Sequence, residues 1–316
     1  MGLRRFLIRR LLYVVPTMFL VTVMVFSILH LIPGDPVDSL VEIDASKEVR
    51  QAVIKQYGFD KPVIVQYGIW LAKVLQGDLG RSILHARPVS VIVGEALPRT
   101  IYLSIGGMIF ALLFSFPLGI FAAVKRKSLV DYAAQVTALI GLSLPSFWAG
   151  IMLMLYFGLF LKWFPIIGYT APGQSLTGFL HHLILPAFTL GIEMTGVLTR
   201  MTRSTMLEEL NKDYVRTHRS QGLSETEIVA RFTLKNAMIP TLTISSIRFA
   251  MLLGGTVVIE QIFSWPGIGN MIYEGILAKD YPVVQGGIIV LSSAFILINL
   301  LVDIIYKWLD PRIQLE

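Results

Sequence analysis

Long apolar runs alternate with short charged segments along this chain. From Leu11 to Gly34 no Asp, Glu, Lys or Arg interrupts 24 residues, which at 1.5 Å of rise each exceed the roughly 30 Å of a bilayer's hydrocarbon core. Thr100–Val124, Ala133–Leu161 and Tyr281–Val302 are free of charge in the same way. Leu183–Thr199 contains only Glu193, and Asn236–Ile259 only Arg248, so each is long enough to span if its single charge faces protein or water. The pattern predicts an all-α integral membrane protein with six transmembrane helices. Arg4, Arg5, Arg9 and Arg10 resemble the start of a signal peptide. The run after them is longer than a usual signal sequence and ends in Pro33-Gly34-Asp35-Pro36 without an A-x-A cleavage site, so it reads as a retained anchor.

Composition agrees with that class. Of 316 residues, 54% are hydrophobic and 15% charged, against about 25% charged in a soluble domain, which excludes a disordered chain and disfavours a soluble enzyme. The net charge of +6 reports topology rather than nucleic-acid binding, because Lys and Arg are retained on the cytoplasmic side. With the N-terminus inside, 16 basic residues face the cytoplasm, and only Lys162 and Lys279 fall in the two short outer loops. Both termini are therefore expected inside. Segment 33–98 holds basic residues too, but segments of that length cross largely regardless of charge. With no cysteine, disulfides and thiolate chemistry are excluded.

Two segments outside the membrane are organised. The outer one, about 65 residues long, carries a candidate helix around Lys47–Tyr57 and another around Pro62–Gln76, ending at Gly77-Asp78-Leu79-Gly80. A structureless loop of that length is uncommon, so it is expected to fold as a small cap or to dock a partner. The chain accordingly divides into residues 1–98, the first span with this extracytoplasmic segment, and residues 99–316, a five-helix core. The core includes a cytoplasmic loop of about 201–238. Within that loop, Gly222 can stop one helix, and Ser224 is a fitting N-cap for the next, with Glu227 at its third position as in a capping box. Two short helices joined by a turn make a knob for a cytoplasmic partner; an amphipathic surface helix is the alternative.

No catalytic constellation is present. The phosphate loop G-x-x-x-x-G-K-[ST], H-E-x-x-H and G-x-S-x-G are all missing, so no catalytic role is expected of the chain. His181 and His182 are adjacent, which on a helix points their rings about 100° apart and makes a poor chelate; they read as interfacial, and no metal ligand set is expected. Glu193 and Arg248 lie at comparable membrane depth, where an ion pair between helices, a polar pathway for solute and an interfacial position are all open. Glu260 lies about 18 Å along a helix from Arg248 and reads as a carboxylate at the outer surface. Pro145, Pro186 and Pro240 permit kinks. The pairs Gly106-Gly107, Gly254-Gly255 and Gly286-Gly287 are expected to let helices approach closely.

The inner loop, DYVRTHRSQGLSETEIVARFTLKNAMIP over Asp213–Pro240, resembles the EAA-type motif of ABC-importer permeases. It is similar to the DYVRTARAKGLS…RNAMIP form of the dipeptide/oligopeptide/nickel subfamily. The resemblance continues through PGDP at Pro33–Pro36, YGFDKPVIVQYGIWLAKVLQGDLGRS at Tyr57–Ser82, FSWPGIGN at Phe263–Asn270, DYPVVQG at Asp280–Gly286 and LDPRI at Leu309–Ile313. It implies a prokaryotic cell-membrane permease whose partners are a second homologous membrane subunit, two cytoplasmic ATPases and an extracytoplasmic solute-binding protein. No cofactor is bound by this chain, and ATP with Mg resides on the ATPases. Carried over by position, Arg216, Thr217, Arg219, Gly222, Leu223, Ser224 and Glu225 would form or flank the ATPase-coupling helix, and Gly77, Asp78, Gly80, Arg81 and Ser82 would help receive the binding protein. Di- or oligopeptides are the expected solutes, with nickel chelates, glutathione-like peptides and oligosaccharides as alternatives. An ion-coupled carrier is a remote alternative that would need coupling carboxylates at mid-membrane. The sequence departs from the motif at His218-Arg219-Ser220-Gln221, and at Arg248, where an uncharged residue such as Gln is expected.

Overall fold

The computed structural model describes residues 3–31, 46–48, 51, 54 and 60–309. The PGDP motif, most of the helix expected over Lys47–Tyr57 and nearly all of the LDPRI motif lie outside the described residues. The helices are α1 (Leu3–Leu31), α2 (Val63–Leu75), α3 (Val89–Val124), α4 (Leu129–Ser143), α5 (Ser146–Phe160), α6 (Leu176–Leu210), α7 (Asp213–Ser220), α8 (Glu225–Ile262), α9 (Ile268–Leu277) and α10 (Tyr281–Leu309). Among the described residues, the β structure is one isolated bridge between Arg81 and Pro88.

By length and composition α3, α6, α8 and α10 are each able to cross a membrane. The apolar run Ala133–Leu161, expected as one span that Pro145 can kink, is the pair α4 and α5, bent by 104°. Pro145 is the cause. Its ring disfavours helical geometry in the preceding residue, and Leu144 is extended at φ −81°, ψ 125°. By contrast, α6 continues through Pro186 and α8 through Pro240. A π-helical stretch over Ile228–Thr233 lies near the start of α8.

The chain forms two compact units. The first comprises Met1–Arg99 and Pro266–Leu297, so the segment after the first span is grouped with α9 and most of α10. Its core contains Val89, Val93, Ala96, Ile268, Met271 and Val283. Gly286 and Gly287 permit the packing: a Cβ on Gly286 would stand 2.6 Å from Val89, and one on Gly287 2.6 Å from Ile272. Helix α2 rests on α1 through Tyr67, whose hydroxyl shares a 2.9 Å hydrogen bond with Thr22 and whose ring meets Phe26 edge-on.

The second unit comprises Thr100–Trp265 and Ile298–Glu316. Its core gathers Leu103, Leu190, Leu198, Ile259, Phe263 and Trp265. Gly106 faces Ala187 and Gly107 faces Leu190, with 2.9 Å to the position a Cβ would take in both cases, so this pair packs α3 on α6 as expected. Gly254-Gly255 does not follow: nothing lies within 4 Å of a Cβ at either position. Glu260 also departs from its expected surface position. It is fully buried and accepts a 2.7 Å hydrogen bond from Thr100, where the chain reverses at Phe263–Trp265 and the Trp265 amide donates to the Glu260 carbonyl at 2.7 Å.

One polar contact ties this unit together near the start of α4. Asp131, 2% exposed, receives Arg203 of α6 in a forked ion pair, Nε at 2.6 Å and Nη2 at 2.9 Å. The Lys127 amide at 2.9 Å and Gln135 Nε2 at 2.8 Å complete its shell. Ser128 caps the helix, its Oγ accepting from the Asp131 amide. Asp131→Asn would leave Arg203 without its counter-charge, a loss of roughly 2–3 kcal/mol. The expected result is melting several degrees lower in detergent, with Glu95→Gln, which breaks the exposed pair to Arg87, close to neutral; equal melting of the two variants would contradict the assignment.

Candidate functional site

Within Asp213–Glu227 the short helix α7 and the turn form as expected, but the second short helix is instead the first turn of α8, which runs on to Ile262, so the knob is α7 and its turn carried on a long helix. α7 begins after Lys212 and ends in a Schellman turn: the Gly222 amide donates to the Arg219 carbonyl at 3.0 Å and the Leu223 amide to the His218 carbonyl at 3.2 Å. That closure needs a left-handed residue, and Gly222 has φ +86°, which glycine adopts without a Cβ penalty. Ser224 then caps α8, its Oγ accepting from the Glu227 amide at 3.3 Å. Only half of the capping box forms, since the Glu227 carboxylate accepts from Arg231 at 2.7 Å.

The knob has an inner and an outer side. Val215 and Ile228 are fully buried and hold it against the bundle. His218 stacks on Phe232 with ring centroids 4.1 Å apart, and the Tyr214 hydroxyl donates to Glu209 at 2.9 Å; burial pushes that phenol's pKa up. Arg216, Thr217, Arg219 and Ser220 are exposed on the outer side. Arg219 spans the turn to Glu225, Nε at 2.5 Å and Nη2 at 3.1 Å, and the carboxylate raises the guanidinium's pKa above its ordinary value. This clasp links the last turn of α7 to the first turn of α8.

The second site expected from sequence is also an ordered element, in the first unit. Residues 80–88 form a tight loop in which the Val89 amide donates to the Gly80 carbonyl and the Ser82 amide to the Arg87 carbonyl, both at 2.9 Å. Asp78 accepts from the Gly80 amide at 2.9 Å, and Arg81 Nη2 donates to the Ala86 carbonyl at 2.7 Å. Gly77 and Gly80 both have positive φ, +83° and +84°. The anchor is Asp280, buried at 1% exposure, which accepts from the Ser82 hydroxyl at 2.5 Å and the Leu84 amide at 3.0 Å. Asp280 lies within the quoted DYPVVQG motif but is not among the residues expected at this site. An acid immediately ahead of an uncharged span, where it can cap the helix, is the signal that marks it.

Glu193 and Arg248 are not brought together. Among the described residues no ion pair joins them. Glu193 is exposed, on the same α6 stripe as Arg200, Ser204 and Glu208. The adjoining face of α6, at Ile192 and Gly196, is taken by close packing of α4. Arg248 is half-buried on α8, between buried Ser245 and exposed Met251. His181 is exposed and hydrogen-bonded to the Trp163 carbonyl at 2.6 Å, and among the described residues no cluster of three or more His, Cys, Asp or Glu forms a metal site.

Comparison with known proteins adds an independent line. Residues 115–315 match the family described as the binding-protein-dependent transport system inner membrane component, and residues 3–104 its N-terminal companion. The chain is 41% identical over 310 residues to a permease ascribed to a peptide transport system of Brucella abortus (strain 2308), covering 98% of this chain and 99% of that one. It is 40% identical over 309 residues to the glutathione transport system permease protein GsiC of Salmonella typhi, covering 98% of each. The fold is similar to a membrane chain of the MetNI methionine ABC transporter in an inward-facing conformation, with a TM-score of 0.58 at 16% identity over 69% of this chain and 96% of that one.

Since Asp280 anchors the 80–88 loop, Asp280→Asn is expected to release it. The full-length protein in detergent would then be cut by trypsin after Arg81 faster than the unaltered chain, while cleavage at Arg126 stays unchanged. Equal cleavage rates at all sites would contradict the anchoring role.

Proposed function

Because the chain belongs to the family of binding-protein-dependent transport system inner membrane components, we propose that it is the membrane-spanning permease subunit of an ATP-driven importer for di- or oligopeptides. The observation that carries the mechanism is the knob: a short exposed helix, locked by Gly222 and clasped by Arg219 to a 38-residue helix. Cytoplasmic ATPases dock on α7, and their closing and opening on ATP tilts α8 and exposes the solute path alternately to either side. ATP and Mg belong to those subunits; this chain supplies no catalytic group. A glutathione-like peptide is the second reading, favoured by the identity to a glutathione permease.

The remaining parts follow the same scheme. With α4 and α5 taken together as one, six spans bring both termini to one side of the membrane, and the excess of Lys and Arg at that side makes it the cytoplasmic one. The 77–82 segment faces outward and helps receive a solute-binding protein, its rigidity supplied by Asp280. A second, homologous permease packs on α8, where Ile247, Met251 and the open Gly254-Gly255 pair form an exposed apolar stripe. Residues 1–98 and 99–316 are the receiving and translocating divisions. Arg248, half-buried on α8, lines the path and attracts a solute carboxylate, and Glu193 is exposed to the same water-filled route.

The test is to tag the C-terminus, extract the chain in mild detergent and identify the co-purifying proteins by mass spectrometry. A second permease and ATPase subunits are expected. Gly222→Val, which forces a branched side chain into the left-handed region, should lose the ATPases but keep the membrane partner. Recovery of the tagged chain alone, under conditions where a known importer stays intact, would overturn the reading. In the intact importer Arg248→Glu should shift preference from acidic towards basic peptides; unchanged uptake of both would remove Arg248 from the path.

A further inference from the structure

Beside the knob lies a cavity of about 170 Å³, one wall of which is the Arg219–Glu225 clasp. Its walls come from the end of α3, the end of α6, α7 and the first turns of α8. Leu207 and Leu210 form part of an apolar side, and Arg126, Asn211, Arg219 and Glu225 a polar one. The polar side begins where the charge-free run Thr100–Val124 gives way to Lys125-Arg126-Lys127, the place on a membrane helix where hydrocarbon meets head groups. The cavity is thus amphipathic at the level of a membrane surface.

Its charge defines a ligand. Arg219 and Glu225 neutralise one another through the clasp. Among the described residues no ion pair or hydrogen bond engages Arg126, so the lining offers one uncompensated positive charge. The Asn211 amide, which gives one proton to the Leu207 carbonyl at 2.9 Å, keeps a second proton to donate. A singly charged phosphodiester matches one guanidinium and one amide donor, and the Leu207 and Leu210 wall matches the glycerol and first methylenes behind it.

We propose that this cavity binds a phosphate group, and that an anionic phospholipid from the leaflet at this end of the bundle supplies it. Whatever solute is carried, a head group seated here touches both partners of the Arg219–Glu225 clasp, so the composition of the leaflet sets how firmly the knob is held.

The test uses the tagged full-length chain with its co-purifying subunits, delipidated in detergent and offered phosphatidylglycerol, phosphatidylcholine or inorganic phosphate alone, with retained ligand read by native mass spectrometry. Phosphatidylglycerol should be retained over phosphatidylcholine, and Arg126→Gln should cut that retention about fivefold, the effect of one basic residue at an anionic surface. Arg126→Lys should keep most of it. Asn211→Asp, which preserves shape and places a carboxylate against the phosphate, should match Arg126→Gln and stands in for it if that variant fails to fold. Inorganic phosphate that displaces the lipid would assign the same site to free phosphate; phosphate that leaves the lipid in place supports the lipid as source. Equal retention of the two lipids, or of phosphatidylglycerol by the unaltered chain and both charge variants, would overturn the proposal.

Discussion

A carboxylate with almost no exposed surface can sit in the membrane bundle only if its charge is met there, and Arg203 meets that of Asp131. The forked pair fixes the start of α4 against α6 at the point where α3 has just ended. It also holds the 125–128 turn through the Lys127 amide, in a residue with φ +62°. That turn supplies Arg126 to the cavity, and α6 runs seven residues further to Leu210 before the knob begins. A moving part needs a frame. Here the frame is made of close helix crossings, with Gly196 against the Ala138 carbonyl and Gly119 against Thr202, locked by one ion pair that leaves little freedom for sliding.

Against that frame the knob is held stiffly. The Schellman turn satisfies the last carbonyls of α7, Ser224 satisfies an early amide of α8, and two buried residues, Val215 and Ile228, seat the two arms. The outward face, with Arg216, Thr217 and Ser220, is polar and exposed. The loop at 80–88 follows the same logic in the first unit, where the buried Asp280 holds a short, glycine-hinged loop in a single shape.

Much of this was legible in the residues, because the strongest signals are local. Charge-free runs mark spans by length alone, and Gly222 with Ser224 marks a helix stop and a helix start by backbone chemistry. What was not legible depends on distant neighbours. Glu260 reads as a surface carboxylate from its distance along α8, but it is buried where the chain reverses at Phe263–Trp265. Glu193 and Arg248 share a depth, yet depth says nothing about azimuth, and the two do not meet. Asp131 and Arg203 are 72 positions apart, so neither announces the other. The 104° break after Ser143 was visible as Pro145 and read only as a possible kink. Gly254-Gly255 shows the reverse: it reads as a packing motif, yet among the described residues nothing lies within 4 Å of a Cβ at either position.

The account rests on ATP hydrolysis by partner subunits driving this chain through the knob. The most direct measurement is peptide uptake into proteoliposomes holding the purified importer, with its binding protein outside and ATP trapped with the ATPases. Vanadate should abolish uptake, and a protonophore should leave it unchanged. Uptake that persists with vanadate and collapses with the protonophore would contradict the account and make this chain an ion-coupled carrier.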